Sequence, residues 1–224
     1  MNAEFLYFAF RRPNISKTAK QHCLMSKGLD PGQVREYYQQ LDNHELMRIA
    51  LHDAAGLTPE AQEIVNQEIE KRNLGTAAAD AVRVQNKTHS LEEIDAYCAL
   101  ARHLNCPQCG SAAVPLNGAL ISSTISVLIV TIQNKKLKIA CPGCLDRANG
   151  NAITTTLLLG WWGIPWGPIR TIQSLGHNNK SKTTNHEEGP NDYLRNFVMA
   201  NIGAFEMYKN NKAQLQQLIS VALE

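Results

Sequence analysis

The sequence predicts an α+β chain in four parts: an N-terminal helical unit, a four-cysteine unit built on a β-hairpin, a bent apolar Trp-rich segment, and C-terminal helices. Three observations carry this. Between residues 30 and 75, apolar residues recur at helical spacing behind good N-caps. Two C-x-x-C pairs, "CPQCG" and "CPGC", flank a run rich in β-branched residues. Residues 154–171, "TTTLLLGWWGIPWGPIRT", hold all three tryptophans and no charge before Arg170.

Residues 1–27 read as a tail. The start, "MNAEFLYFAFRRP", has a short apolar run with an acid before it, a basic pair after it and no small-residue cleavage site, so it does not read as a secretory signal. Asn2 to Leu24 lacks helical or strand period, while Met25 opens a regular stretch. Two readings follow: translation starting at Met25, or a floppy tail.

Residues 28–76 form a helical module. "DPGQVREYYQQL" places Val34, Tyr37, Tyr38 and Leu41 on one helical face. "DNHELMRIAL" opens with Asp42 as N-cap and Glu45 three residues later. The third helix starts at Thr58–Pro59 and stops at Gly75, with Glu60 and Glu63 near its N-terminus and Lys71 and Arg72 near its C-terminus, as the helix dipole favours. Residues 77–89 read as a small-residue, polar linker. Residues 90–150 hold a helix capped by Ser90 and Glu93, then the cysteine unit. "LISSTISVLIVTI" and "LKIAC" read as strands, with "QNKK" as the turn between them. After the Trp-rich segment (151–176), residues 177–190 are Gly/Asn-rich and polar, a loop. Residues 191–224 are helical in pattern: Leu194, Phe197, Val198 and Ile202 form one face, and Leu215, Leu218, Ile219 and Ala222 another. Gly203 and "KNNK" are candidate breaks.

The chain has 224 residues, enough for one sizeable domain or two or three small ones, and its net charge of +2 gives no strong overall field for nucleic acid or acidic membranes. Of its six cysteines, Cys23 is isolated and Cys98 lies on a predicted helix as a small core residue. The other four, Cys106, Cys109, Cys141 and Cys144, form the two pairs. That pattern without a secretory signal points to metal in a reducing compartment rather than to disulfides. Two intervening residues let one tight turn present both thiolates to one ion. Pro107 presets the first turn, Gly110 lets the chain fold away, and Pro142 and Gly143 repeat the device. Four soft ligands suit tetrahedral Zn²⁺, and four cysteines close its coordination, which points to a structural rather than a catalytic ion; iron–sulfur binding or a redox pair is the alternative. His103, three residues before Cys106, is a further ligand candidate or a plain helix-end residue. The unit resembles a zinc ribbon, two knuckles joined by antiparallel strands, although the 31 residues between the pairs exceed the commonest spacing.

Asn151 to Ile169 carries no charge, long enough for a transmembrane helix, but its glycines and two prolines argue against a straight span. The composition suggests a short apolar helix, a bend at "GWWGIPWGP" and a second piece. Trp161, Trp162, Pro165, Trp166 and Ile169 then contact either a membrane interface or the protein's own core. Basic residues on both flanks (Lys135, Lys136, Lys138 and Arg147 before; Arg170, Lys180 and Lys182 after) favour entry and exit on the cytoplasmic side.

Two resemblances add to this. "LDNHELMRIALHDAAGLTPEAQEIVNQEIEKRNL" is similar to a short helical module at the front of many uncharacterised bacterial proteins. Gly160, Trp161, Trp162, Gly163, Pro165, Trp166, Gly167, Ile169 and Thr171 match a GWWGxPWG segment found in uncharacterised bacterial proteins, often after a cysteine-knuckle domain. The second resemblance, with the ribbon, covers residues 104 to 224 and implies membrane association without assigning a chemistry. No nucleophile elbow, P-loop, dinucleotide loop or metalloprotease helix occurs, and Glu92–Glu93 sit where a helix cap explains them. The expectation is a non-enzymatic protein with structural Zn²⁺, docked on the cytoplasmic face of a membrane as adaptor or scaffold for a protein partner. The alternative is a soluble, cytoplasmic zinc-ribbon protein binding nucleic acid, through "NKKLK" at the hairpin tip, or a protein partner.

Overall fold

A computed structural model describes residues 30–221, so the tail, the Met25 start, Cys23 and Ala222 lie outside the described residues. It contains ten α-helices and one two-stranded antiparallel sheet, a mixed α and β architecture.

The front unit is α1 (Pro31–Gln40), α2 (Asn43–Arg48, continued by a π turn over Ile49–Asp53) and α3 (Pro59–Lys71). Its caps form as the residue types dictate: Asp42 accepts from Glu45 N–H, and Thr58 accepts from Ala61 N–H. Tyr38, Leu46, Ile49, Val65 and Ile69 meet in a core of its own. Arg72 ties the unit together. Its guanidinium donates to the backbone carbonyls of Tyr38, Gln39 and Leu41 at the end of α1, and its Nε lies 2.7 Å from Glu68 Oε1. These carbonyls have no intrahelical partner, so the arginine caps α1 from another helix. Arg72→Ala is expected to lower stability by about 2 kcal/mol in urea unfolding, with little recovery in Arg72→Lys, because an ammonium cannot reproduce the fork.

The expected linker is instead a helix, α4 (Thr76–Gln85). Its polar, small-residue composition concealed a buried face: Ala78, Ala81 and Val82 let neighbouring backbones approach closely. Gln85 and Asn86 donate to the Ala50 and Ala54 carbonyls, satisfying the end of the π turn. Helix α5 (Leu91–Arg102) starts in the predicted Ser90–Glu93 capping box.

Strands β1 (Asn117–Val127) and β2 (Val130–Ala140) pair from Asn117↔Ala140 to Val127↔Val130. The turn is Leu128–Ile129, not "QNKK", which lies inside β2; "NKKLK" is therefore not at the tip. Helix α6 (Pro142–Leu159) and α7 (Trp166–Asn185) form an antiparallel pair packed along β1. The expected loop 177–190 is thus largely the second half of α7. The chain ends in α8 (Asp192–Ala200), α9 (Ile202–Tyr208) and α10 (Lys212–Val221), so the breaks fall at Asn201 and at Lys209–Asn211 rather than at Gly203.

A second core joins α5, the open end of the hairpin, the start of α6 and the last three helices through Leu116, Ile139, Leu145, Leu194, Phe205 and Ile219. Arg195 clamps Asp95 of α5 from α8 with two bonds of 2.7 and 3.1 Å. Helix α9 also packs against α4 and the π turn, so the front unit and the C-terminal helices share an interface.

Candidate functional site

The first C-x-x-C is a knuckle ahead of β1. Cys106 N–H donates to the Ser111 carbonyl and Gly110 N–H to the Cys106 carbonyl, both at 2.8 Å. Gly110 turns the chain away at φ +74°, a conformation that favours glycine. The second pair differs from the expected ribbon. Cys141 leaves β2 as the N-cap of α6, Pro142 occupies the first helical position, and Cys144 lies in the first turn, with its N–H on the Cys141 carbonyl at 3.0 Å. The arrangement is a knuckle, a hairpin and a helix N-terminus. The positive end of the helix dipole faces the thiols, which favours their ionised form.

Hairpin pairing brings the two halves together at its open end. The four Sγ atoms lie within 4.8 Å of one another, with Cys109 and Cys141 3.8 Å apart, and none is in a disulfide. A tetrahedral ion with Zn–S bonds of ~2.3 Å needs sulfur separations of roughly 3.8 Å, so the donor set fits such an ion. Cys141 N–H points at Cys106 Sγ at 3.4 Å. Burial pushes the Cys106 thiol up, but N–H donors from Cys141, Cys109 and Gln108 outweigh it and bring it down to about 7. Burial and the neighbouring thiols push Cys144 up to about 12. These four cysteines are the only such metal-ligand group among the described residues, and His103 is not part of it; it caps the end of α5. Cys98 is a buried core residue, its thiol raised to about 11 by burial.

The rest of the hairpin unit has an unusual interior. The buried face of α7 reads Gly167, Thr171, Ser174, Asn178, Ser181, Asn185, a stripe of small and polar residues at three- and four-residue spacing. It meets Ser122, Thr124 and Ser126 of β1 and Thr156 of α6. These side chains bond the edge of β1 that faces away from β2. Asn178 accepts from Ser122 N–H at 2.9 Å and donates to its carbonyl at 2.6 Å. Thr156 accepts from Thr124 N–H, and Asn191 pairs with both backbone groups of Gly118. The strand edge is satisfied without a third strand. At the metal end, Asn185 and His186 bond the Asp146 carboxylate at 2.8 and 2.7 Å, tying the end of α7 to the start of α6.

The apolar side chains face outward. Trp161, Trp162 and Trp166 are 41, 69 and 59% exposed, and Pro165 and Ile169 are exposed as well. The glycines make the close approaches expected of a buried turn: an added Cβ on Gly167 would sit 2.9 Å from the Gly160 carbonyl. The tryptophans, however, do not fill a core. Trp162 Nε1–H donates to the Leu158 carbonyl at 3.1 Å, so the ring's only polar group is spent on capping α6. No described helix is long and apolar enough to cross a membrane.

Sequence reasoning singled out the four cysteines that the fold gathers and left the tryptophan corner open between a membrane interface and the core, but missed the Asn178 and Asn191 clasps. The signal for Asn178 was the polar stripe of α7, which resembles loop composition; that for Asn191 was its place as the N-cap of α8. No protein family, curated relative or solved structure matches the chain, so its function is argued from this geometry.

Proposed function

We propose that this is a non-enzymatic protein in which a structural Zn²⁺ held by Cys106, Cys109, Cys141 and Cys144 rigidifies a hairpin and helix pair that docks on the cytoplasmic face of a membrane. The observation that carries the reading is the inverted polarity where α6 and α7 meet at the corner: Thr156, Gly167, Thr171 and Ser174 face inward, while Leu157–Leu159, Ile169, Ile172 and all three tryptophans face outward. In water such an arrangement exposes apolar area that a globular interior would bury; against lipid it places each side chain in its favoured medium. Tryptophan is suited to the headgroup level. Four thiolates leave an ion no open position, which supports a stapling role. The front helical unit, folded around its own core, is then available to recruit a protein partner, making the molecule an adaptor or scaffold.

The test is flotation of the zinc-loaded chain with phospholipid vesicles. The wild type is expected to float, and Trp161→Ser/Trp162→Ser/Trp166→Ser to bind at least roughly a hundredfold more weakly, from the apolar area removed. A wild-type protein that stays with the soluble fraction overturns the membrane reading.

A further inference from the structure

We infer that the β-hairpin tip is a second membrane-inserting element, which together with the tryptophan corner forms one wedge for a single anionic phospholipid leaflet. This rests on the membrane reading above and extends it to residues outside the Trp-rich segment.

Two-residue hairpin turns ordinarily use Asn, Asp or Gly, since they require positive φ. Here the turn is Leu128–Ile129, with Leu128 at φ 52°. The two side chains are 78 and 86% exposed. Folding alone gives no reason to place branched apolar residues there. Behind the tip, Val127 pairs with Val130 and Ile125 with Ile132 across the strands, all four exposed. The inward residues between them, Ser126 and Thr131, bond each other at 3.0 Å.

The tip is locked to the corner. Ser126 Oγ donates to the Gly160 carbonyl at 2.8 Å, and Gly163 and Gly167 both pack within reach of Ser126. The two apolar elements therefore meet at one end of the unit, the hairpin's outer face on one side and the tryptophan corner on the other. Of eighteen large hydrophobic residues exposed among the described residues, all but Leu91, Val114 and Met199 belong to these two elements.

Depth is consistent between the two elements. From Ile129 back to the Ile125–Ile132 pair is roughly 10 Å of strand. The exposed apolar stretches Leu157–Leu159 and Trp166–Ile172 occupy one to two helical turns, up to roughly 10 Å. Both match the depth that interfacial elements reach, the boundary of headgroups and acyl chains. Behind the tip, side-chain clasps satisfy both backbone groups of Ser122 and the N–H of Thr124 on the outer edge of β1.

Charge selects the surface. Between Asp95 and Glu187 the chain carries eight basic residues and a single acid, Asp146; Arg147 and Lys182 lie beside that acid, and Arg170 and Lys135 lie toward the wedge. That acid sits at the opposite, metal end, bonded to Asn185 and His186. Arg170, exposed one turn behind Trp166, reaches Gln133 of β2 at 3.2 Å, and Lys135 is exposed two residues further along the strand. Arg170 lies between Ile169 and Ile172 at the inner limit of the apolar band and Lys135 lies behind it, where the headgroups would be.

The test uses the full zinc-loaded chain and vesicles of phosphatidylcholine with and without phosphatidylglycerol. The variant Leu128→Asn/Ile129→Gly installs a turn pair that hairpins favour, so folding is retained and thermal unfolding verifies it. It is expected to bind anionic vesicles about tenfold to a hundredfold more weakly than wild type, with the tryptophans untouched. Arg170→Gln/Lys135→Gln is expected to weaken binding to the anionic vesicles alone. If the wild type binds and the tip variant binds equally well, the hairpin inference fails while the tryptophan reading stands. Equal wild-type binding to both vesicle types overturns the anionic preference. If the wild type binds neither, both readings fail. A wild type that dimerises in solution, loses the dimer in the tip variant and ignores vesicles shows that a second copy covers this end, and overturns the inference.

Discussion

Cys106→Ser is expected to abolish stoichiometric zinc and to lower the thermal midpoint by more than about 10 °C, while leaving the front helices folded. Structural four-ligand zinc supplies about 10 kcal/mol at neutral pH, and under the proposed reading the hairpin unit would depend on it. Its far half has an interior of Ser, Thr and Asn, which contributes little hydrophobic stabilisation. Its near half gathers Leu116, Ile139 and Leu145 around Cys106 and Cys144, so a bound ion would fix the register at which hairpin and helix enter the core. Breaking one ligand leaves three thiols in a half-buried site and frees both strand ends. The front unit has a separate core around Leu46, Val65 and Ile69, so circular dichroism should retain its helical signal. Cys98→Ser is the control: the residue is buried but is not one of the four clustered thiols, and its replacement should cost about 1 kcal/mol and keep the metal. An equal midpoint for the wild type with and without a chelator would remove the stapling role.

Legibility from sequence followed the physics of each segment. The caps at Asp42, Thr58 and Ser90 and the two C-x-x-C pairs are local devices, fixed by residues three or four apart, and they form as their spacing dictates. The second pair was read as a knuckle because Pro142 and Gly143 suit a turn; proline suits the first position of a helix equally, and the helix prevailed. "QNKK" has turn composition, yet the hairpin closes at Leu128–Ile129, because register is set along the length of both strands. Helix α7 was hidden for a different reason. Hydrophobic periodicity is the usual signal of a helix, and α7 buries polar residues instead. The stripe Thr171, Ser174, Asn178, Ser181, Asn185 has helical spacing in polarity of the opposite sign. A search for period alone, without regard to which face is apolar, finds it.

Asn191→Ala should be the most damaging change outside the metal site, lowering stability by roughly 3–5 kcal/mol. Its side chain serves four buried or half-buried backbone groups at once. Oδ1 accepts from Leu194 N–H as the N-cap of α8 and from Gly118 N–H of β1. Nδ2 donates to the Gly118 carbonyl at 2.6 Å and to the Thr184 carbonyl at the end of α7 at 3.1 Å. Alanine leaves the Leu194 N–H and both Gly118 groups without partners, while the Thr184 carbonyl keeps its backbone donors, and each orphaned group costs about 1–3 kcal/mol when water cannot replace the bond. No nearby side chain can step in, because β1 and α8 touch here. A Cβ on Gly118 would sit 2.7 Å from Leu194 N and 2.9 Å from the Tyr193 carbonyl carbon. Asn191→Asp separates the contributions: the carboxylate keeps the cap and the Gly118 N–H bond but has no proton for the two carbonyls, so it should fall between wild type and alanine in urea unfolding. A loss in Asn191→Asp as small as that of an exposed substitution would mean that the carbonyl bonds contribute nothing. The distinction matters because Asn191 and Asn178 act alike, each replacing a missing strand at the edge of β1. That replacement lets the hairpin hold its shape against α7 without an apolar interior, and so leaves the apolar residues of this half free to face outward.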